Sequence, residues 1–291
     1  MSGFILGHLS VFELVLVNGV LAYSQYIALR AGVFSMATAG FAALGAYTAA
    51  LFAVRLGFPV WAGLFAAALI GAVAGLVLAL PLARLRGVFQ AIATLAFVQI
   101  VMSVGLYWES LTGGALGLNG IPKLVHPGHL LVVLAIVLYV LRAVSRTGIG
   151  RAFDTIRQDE TVAVSLGISV VKYQSLAFVL SGALGGLGGG LIAYRNYSLV
   201  PEDFGFPLLI AALSFVVLGG RNAVAGPLVG ALILTLLPEV ARPLADYRLA
   251  VNGVLIVLAI IYWPYGVVDT VILHWRQRKA ARAQAVAEVV P

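Results

Sequence analysis

The sequence predicts an all-α, polytopic transmembrane bundle of about nine spans (eight to ten), some of them short or broken. Three observations predict it. Hydrophobic residues make up 62% of the chain and charged residues only 10%, against roughly 25% charged in soluble domains. Apolar stretches recur along nearly the whole chain at lengths close to the roughly 20 residues that a span requires. The charged residues gather in short segments between those stretches. No soluble block is left over, so residues 1–275 read as one transmembrane domain and 276–291 as a basic cytoplasmic tail.

The first stretch, Val11 to Leu29, lacks a preceding basic region and a small-residue cleavage pattern, so it reads as a retained span rather than a signal peptide. Met36 to Val54, Val60 to Ala83 and Val88 to Tyr107 follow. His129 to Leu141 is short, as are Phe206 to Gly219 and Ala225 to Val240, a pattern expected of broken or re-entrant helices repaired by their neighbours. Tyr173 to Tyr194 and Tyr247 to Trp263 are of full length. Tyr107-Trp108 and Tyr262-Trp263 fall at span ends, where amphipathic rings prefer the headgroup region.

With nine spans and the N-terminus outside, thirteen basic residues face the cytoplasm and five face outward, namely Arg55, Lys123, Arg195, Arg242 and Arg248. The opposite orientation inverts that bias, so N-out and C-in is expected. The net charge of +7 therefore carries topology rather than nucleic-acid binding.

Several function classes drop away. There is no cysteine, which removes disulfides, thiolate metal sites and cysteine nucleophiles. The four histidines, at 8, 126, 129 and 274, are peripheral and lack ligand-like spacing, so no metal or intramembrane catalytic site is expected. All eleven acidic residues fall in loops, tails or near span ends, whereas an ion-coupled carrier usually buries a carboxylate near the midplane. An ion-coupled secondary transporter and a non-transport scaffold stay as open readings.

The longest cytoplasmic loop, about residues 142–172, contains GIGRAFDTIRQDETVAVSLGIS. As a helix, it places Ile149, Phe153, Ile156 and Ala163 on one face and Arg151, Asp154, Gln158 and Thr161 opposite. Glu160 would fall on the apolar face of a continuous helix, so a break near Asp159 is expected, giving two short helices at an angle. Such an element either lies on the bilayer or inserts its apolar face into a partner's groove.

This loop resembles the coupling loop of ATP-binding-cassette importer permeases, whose Glu-Ala-Ala-x-x-x-Gly pattern docks into the nucleotide-binding subunit. Ala163 and Gly167 match its second Ala and its Gly; Thr161 and Val162 stand at the Glu and first Ala positions, with Glu160 one residue early. AFDTIRQDE here, GVFSMATAGFAALGAYTA at Gly32 to Ala49, LRGVFQAIATLAF at Leu85 to Phe97, WESLTGGALGLNGIP at Trp108 to Pro122 and SFVVLGGRNAVAGPLVGA at Ser214 to Ala231 are similar to LivM-type permeases of the branched-chain amino acid transport family.

The resemblance implies a non-catalytic permease subunit with no cofactor of its own, in a bacterial-type inner membrane. It implies pairing with a second, homologous permease, two cytoplasmic ATPases and an extracytoplasmic solute-binding protein. It implies an ATPase-coupling surface from Arg151, Phe153, Asp154, Ile156, Arg157, Asp159, Glu160, Ala163 and Gly167, and a binding-protein face near Glu109 and Lys123. The cargo implied is a branched-chain amino acid or a related small organic solute such as urea or an amide.

Polar residues within spans are costly and therefore informative. Asn18 and Gln25 share a face of the first span; Ser35 lies just before the second; Gln90 and Thr94 share a face of the fourth, with Gln99 opposite. Either they hydrogen-bond between helices or they line a translocation path. SGALGGLGGG, with Gly182, Gly186 and Gly190 at four-residue intervals, reads as a close-packing seam and not as a phosphate loop, since it sits inside a span.

Overall fold

In a computed structural model, described for residues 2–82, 85–240 and 266–275 with positions 253, 257 and 277, nearly every apolar stretch is a helix. The main helices are α1 (Ser2–Arg30), α2 (Thr38–Val54), α3 (Val60–Leu82), α4 (Val88–Tyr107), α6 (Pro127–Arg146), α9 (Val170–Arg195), α10 (Phe206–Gly219) and α11 (Gly226–Val240). Between them lie three short helices, α5 (Glu109–Thr112), α7 (Gly148–Gln158) and α8 (Glu160–Ser165). Of the expected ninth span only positions 253 and 257 are described, and the tail from 278 onward lies outside the described residues.

The fifth stretch is not short. Pro127 at the first helical turn, after an extended His126, starts α6 two positions before the expected His129, and the helix runs 20 residues to Arg146, about 30 Å. The seventh is lengthened differently. A 3-10 turn at Pro201–Phe204 precedes α10, and together they make a candidate span from Pro201 to Gly219. α11 has 15 residues, about 22 Å.

The bundle is built around α9, against which α1, α2 and α3 pack. In lipid there is no water to drive helices together, so close backbone contact must do it. The glycines of α9 make that contact available. A Cβ on Gly182 would fall on the Gly71 carbonyl and one on Gly71 would fall on the Gly182 carbonyl; a Cβ on Gly45 would fall on the Gly186 carbonyl, one on Gly186 on the Ala67 carbonyl, and one on Gly189 on the Ala42 carbonyl. A polar knot ties α1 into this centre. The Ser24 hydroxyl donates to the Ser181 carbonyl at 2.8 Å, and the Thr38 hydroxyl donates to Gln25 Oε1 at 2.8 Å.

The ion pairs sort to two ends. At one end Glu13 stands 3.9 Å from both Lys123 Nζ and Arg195 Nε. Seventeen residues along α1, about 25 Å away, Arg30 pairs with Asp154. The Glu13 end also carries a two-residue antiparallel ladder, β1 (Leu118–Asn119) with β2 (Ser198–Leu199), in which Leu118 faces Leu199 and Asn119 faces Ser198. It fastens the α4–α6 connection to the end of α9.

Candidate functional site

The α6–α9 connection folds as an elbow at the Arg30 end. α6 ends at Arg146, where the Thr147 hydroxyl donates to the Val144 carbonyl at 2.7 Å. The chain then reverses tightly, and a Cβ on Gly150 would lie 2.6 Å from the Ser145 carbonyl oxygen. α7 stops at Gln158 because Asp159 is extended, and Asp159 in turn caps α8: its Oδ1 accepts from the amides of Thr161 at 2.7 Å and Val162 at 3.1 Å. Those bonds, Val162's first, hold the Asp159 carboxyl below its ordinary range.

α8 closes in a Schellman motif. The Ile168 amide donates to Ala163 O at 3.0 Å and the Gly167 amide to Val164 O at 2.9 Å. Gly167 takes φ +77°, a conformation that glycine adopts without Cβ strain. Ile168 and Ala163 share a small apolar cluster with Ile156 and Val170, the contact that usually accompanies this cap. So the break falls at Asp159, and the two matched family positions have structural causes: Ala163 is fully covered and Gly167 turns the chain.

The apolar face of the elbow is spent inside the molecule. Phe153 lies edge-on to Tyr173 of α9 with centroids 6.3 Å apart, and Ile156 packs on Ala163 and Tyr173. α9 and the bundle already occupy that face, so it is covered within the chain rather than open to the bilayer or to a partner's groove. Polar contacts fix the rest. Arg30 Nε and Nη2 donate to the two oxygens of Asp154 at 3.1 and 3.0 Å, a bidentate clamp onto α1. Arg157 lies 3.9 Å from Asp154 and donates to Asn222 Oδ1 in the α10–α11 turn. Glu160 pairs with Arg86 before α4 and accepts from Gln174 Nε2 at 3.2 Å. Burial lowers the Arg157 pKa from its usual value, with Asp154 opposing the shift.

What the elbow offers outward is different from what periodicity picked out. Val162, Val164 and Leu166 are 49, 60 and 68% exposed, alongside the exposed Arg151, Gln158 and Asp159. Three apolar side chains on and just after a short capped helix within a polar loop were the available signal for them.

The intramembrane polar residues divide. Asn18 Nδ2 donates to Thr235 Oγ1 of α11 at 3.0 Å; Gln25 Nε2 donates to Ser35 O at 2.8 Å; Ser35 Oγ accepts from the Ala37 amide at 3.2 Å; Thr94 Oγ1 accepts from the Met36 amide at 2.9 Å. Gln90 is buried on the same face of α4 as Thr94. Gln99 is exposed on the opposite face of α4, with Ser103 and among Ile92, Ile100 and Val104. At the other end, Glu109 and Lys123 are both exposed; Lys123 pairs with Glu13, and Arg55 donates to the Ser110 carbonyl. No group of three or more His, Cys, Asp or Glu fit to hold a metal occurs among the described residues.

Long apolar helices packed through glycine, with a capped helical elbow between two of them, define a polytopic helical membrane protein. The chain belongs to the branched-chain amino acid transport system / permease component family, which matches residues 8–261. It is 32% identical over 269 residues to the high-affinity branched-chain amino acid transport system permease protein LivM of Salmonella typhimurium (strain LT2), and equally to that of Escherichia coli (strain K12). Those alignments cover 81% of this chain and 63% of each relative, so the chain spans less than two thirds of their length. It is 25% identical over 312 residues to a branched-chain amino acid transport permease protein LivH of Methanocaldococcus jannaschii, covering 92% of this chain and 95% of that one. No solved structure matches.

Proposed function

We propose that this chain is the membrane-spanning permease subunit of an ATP-driven importer, carrying a branched-chain amino acid or a related small organic solute inward without catalysis of its own. The observation that carries the reading is the α7–α8 elbow: rigidly capped, clamped to α1 by Arg30 and Asp154, and presenting Val162, Val164 and Leu166 outward. The names of the relatives, permease components of transport systems, support an importer over an ion-coupled carrier. The full assembly adds a homologous second permease, two ATPases and a solute-binding protein. The elbow end, with its excess of arginine, faces the cytoplasm, and so does the C-terminus; the N-terminus is outside.

In this arrangement the ATPases grip the exposed tip of α8, and their closure on nucleotide displaces the elbow, biasing the spans between inward- and outward-facing states. Among the polar residues first considered for the path, Asn18, Gln25, Ser35 and Thr94 serve helix packing through the bonds above. Gln99 and Ser103 stand on an otherwise apolar exposed face, which suits a path shared with the second permease and weak contact with a zwitterion. Glu109, on the opposite end from the elbow, is free to meet the binding protein, while Lys123 is engaged with Glu13.

The test is co-purification with co-expressed ATPases. Leu166→Asp combined with Val164→Asp is expected to lower ATPase retention at least tenfold at an unchanged melting temperature, because both side chains are exposed. Retention equal to the parent would sink the docking assignment.

A further inference from the structure

The polar chain at the elbow does not stop at Arg157. Asn222, in the turn between α10 and α11, is held from two sides: its Oδ1 accepts from Arg157, while its backbone amide and its Nδ2 both donate to Asp269 Oδ2 at 2.9 Å. Asp269 Oδ1 takes the next amide, that of Ala223, at 3.0 Å. Asp269 belongs to a helical segment at 267–275 and is only 4% exposed, so its carboxylate is spent on this turn. The backbone is shaped to admit it. Gly220 sits at φ +111° and a Cβ there would lie 2.8 Å from the Asp269 Cγ; Gly266 lies against the Gly220 backbone. Beside the joint Asn222, Ala223, Asp269, Ile272 and Leu273 line a half-open pocket of about 210 Å³. A buried carboxylate bound by three N–H groups is a fixed geometry.

We propose that Asn222 is the positioning residue through which displacement of the α7–α8 elbow is handed to α10 and α11: Arg157 holds its carboxamide oxygen and Asp269 holds its nitrogens. This rests on the importer reading above for what drives the elbow, but not for the joint itself. The pair α10–α11 is the natural recipient. It packs on α1 through Asn18 to Thr235 and through the Tyr23 hydroxyl, which donates to Val224 O at 2.8 Å, two residues beyond Asn222. A movement of Asn222 therefore reaches the helices without passing through the glycine-packed centre.

The experiment uses the full assembly in liposomes and, separately, the purified chain. Asn222→Ala removes both side-chain grips, the oxygen held by Arg157 and the Nδ2 held by Asp269, and leaves only the backbone amide on Asp269. Asn222→Asp keeps the size and the acceptor for Arg157 but cannot donate its side chain to Asp269, and it covers the case in which the alanine variant fails to fold. Expected in either variant is ATPase retention within twofold of the parent, with solute taken up per ATP hydrolysed falling at least tenfold. On the purified chain, amide exchange in α7 should rise about fivefold. Uptake per ATP within twofold of the parent would overturn the joint, as would loss of retention in proportion to loss of uptake. A parent that retains no ATPase refutes the importer reading instead; there, faster α7 exchange in the variants upholds the joint and unchanged exchange overturns it.

Discussion

Between α9 and α3 the backbones themselves touch, glycine on glycine, whereas the α7–α8 elbow rests on its neighbours chiefly through side chains: one aromatic pair, one small apolar cluster and a set of ion pairs and caps. The centre has no room for a methyl group. The elbow has fixed internal geometry, yet its grip on the bundle is made of contacts that can be exchanged. A bundle that must move needs both, a part that cannot deform and a part that transmits, since packed interiors respond to strain by switching rather than by bending.

The contrast is open to breakage at graded cost. The largest effect is expected from Gly182→Leu, which drives a side chain into the Gly71 carbonyl; the bundle should not accumulate as a monodisperse species in size-exclusion chromatography, and Gly182→Ala should cost about 1–3 kcal/mol. Next comes Asp154→Ala, which leaves the buried Arg30 guanidinium without its carboxylate. Since Asp154 is partly exposed, a loss of about 2 kcal/mol is expected in thermal unfolding, with the α7 amides opening first. If Asp154→Ala outweighs Gly182→Leu, the assignment of rigidity to the centre is reversed.

The smallest structural effect belongs to Asp159→Ala, which removes the cap of α8. Exchange should quicken in Thr161 and Val162 and leave α9 unaltered. Acid titration gives the same answer from another side. The Asp159 carboxyl is held below its ordinary 3.8 by bonds made only when folded, so its contribution is complete above that pH and fades as pH falls through the lower, folded value. The α8 amides should accordingly lose protection only in that acid range, and loss near neutrality would contradict the cap.

Much of this was legible in the residues. Apolar length located the spans, and the conflict at Glu160 located the break at Asp159, because a charged residue on a buried helical face costs more than a turn does. The length of α6 was missed at both ends: Pro127, which fits a first helical turn, lies two positions before the expected start, and residues 142–146, assigned to the cytoplasmic loop, continue the helix to Arg146. The outward surface of the elbow was also missed. Periodicity finds the face that is buried, and Phe153, Ile156 and Ala163 are buried against the chain's own α9, so the pattern pointed away from what is left exposed. Asn222 and Asp269 are 47 residues apart in sequence, and no local pattern brings them together.

The cap and the Schellman turn of α8 separate two kinds of position. Asp159, Ala163 and Gly167 determine the shape, and Val162, Val164 and Leu166 meet whatever lies outside. Substituting the second set leaves the first intact. Under the docking role proposed above, three side chains on an unchanged frame would set partner choice, so that a second assembly in the same membrane would be kept apart by those side chains alone.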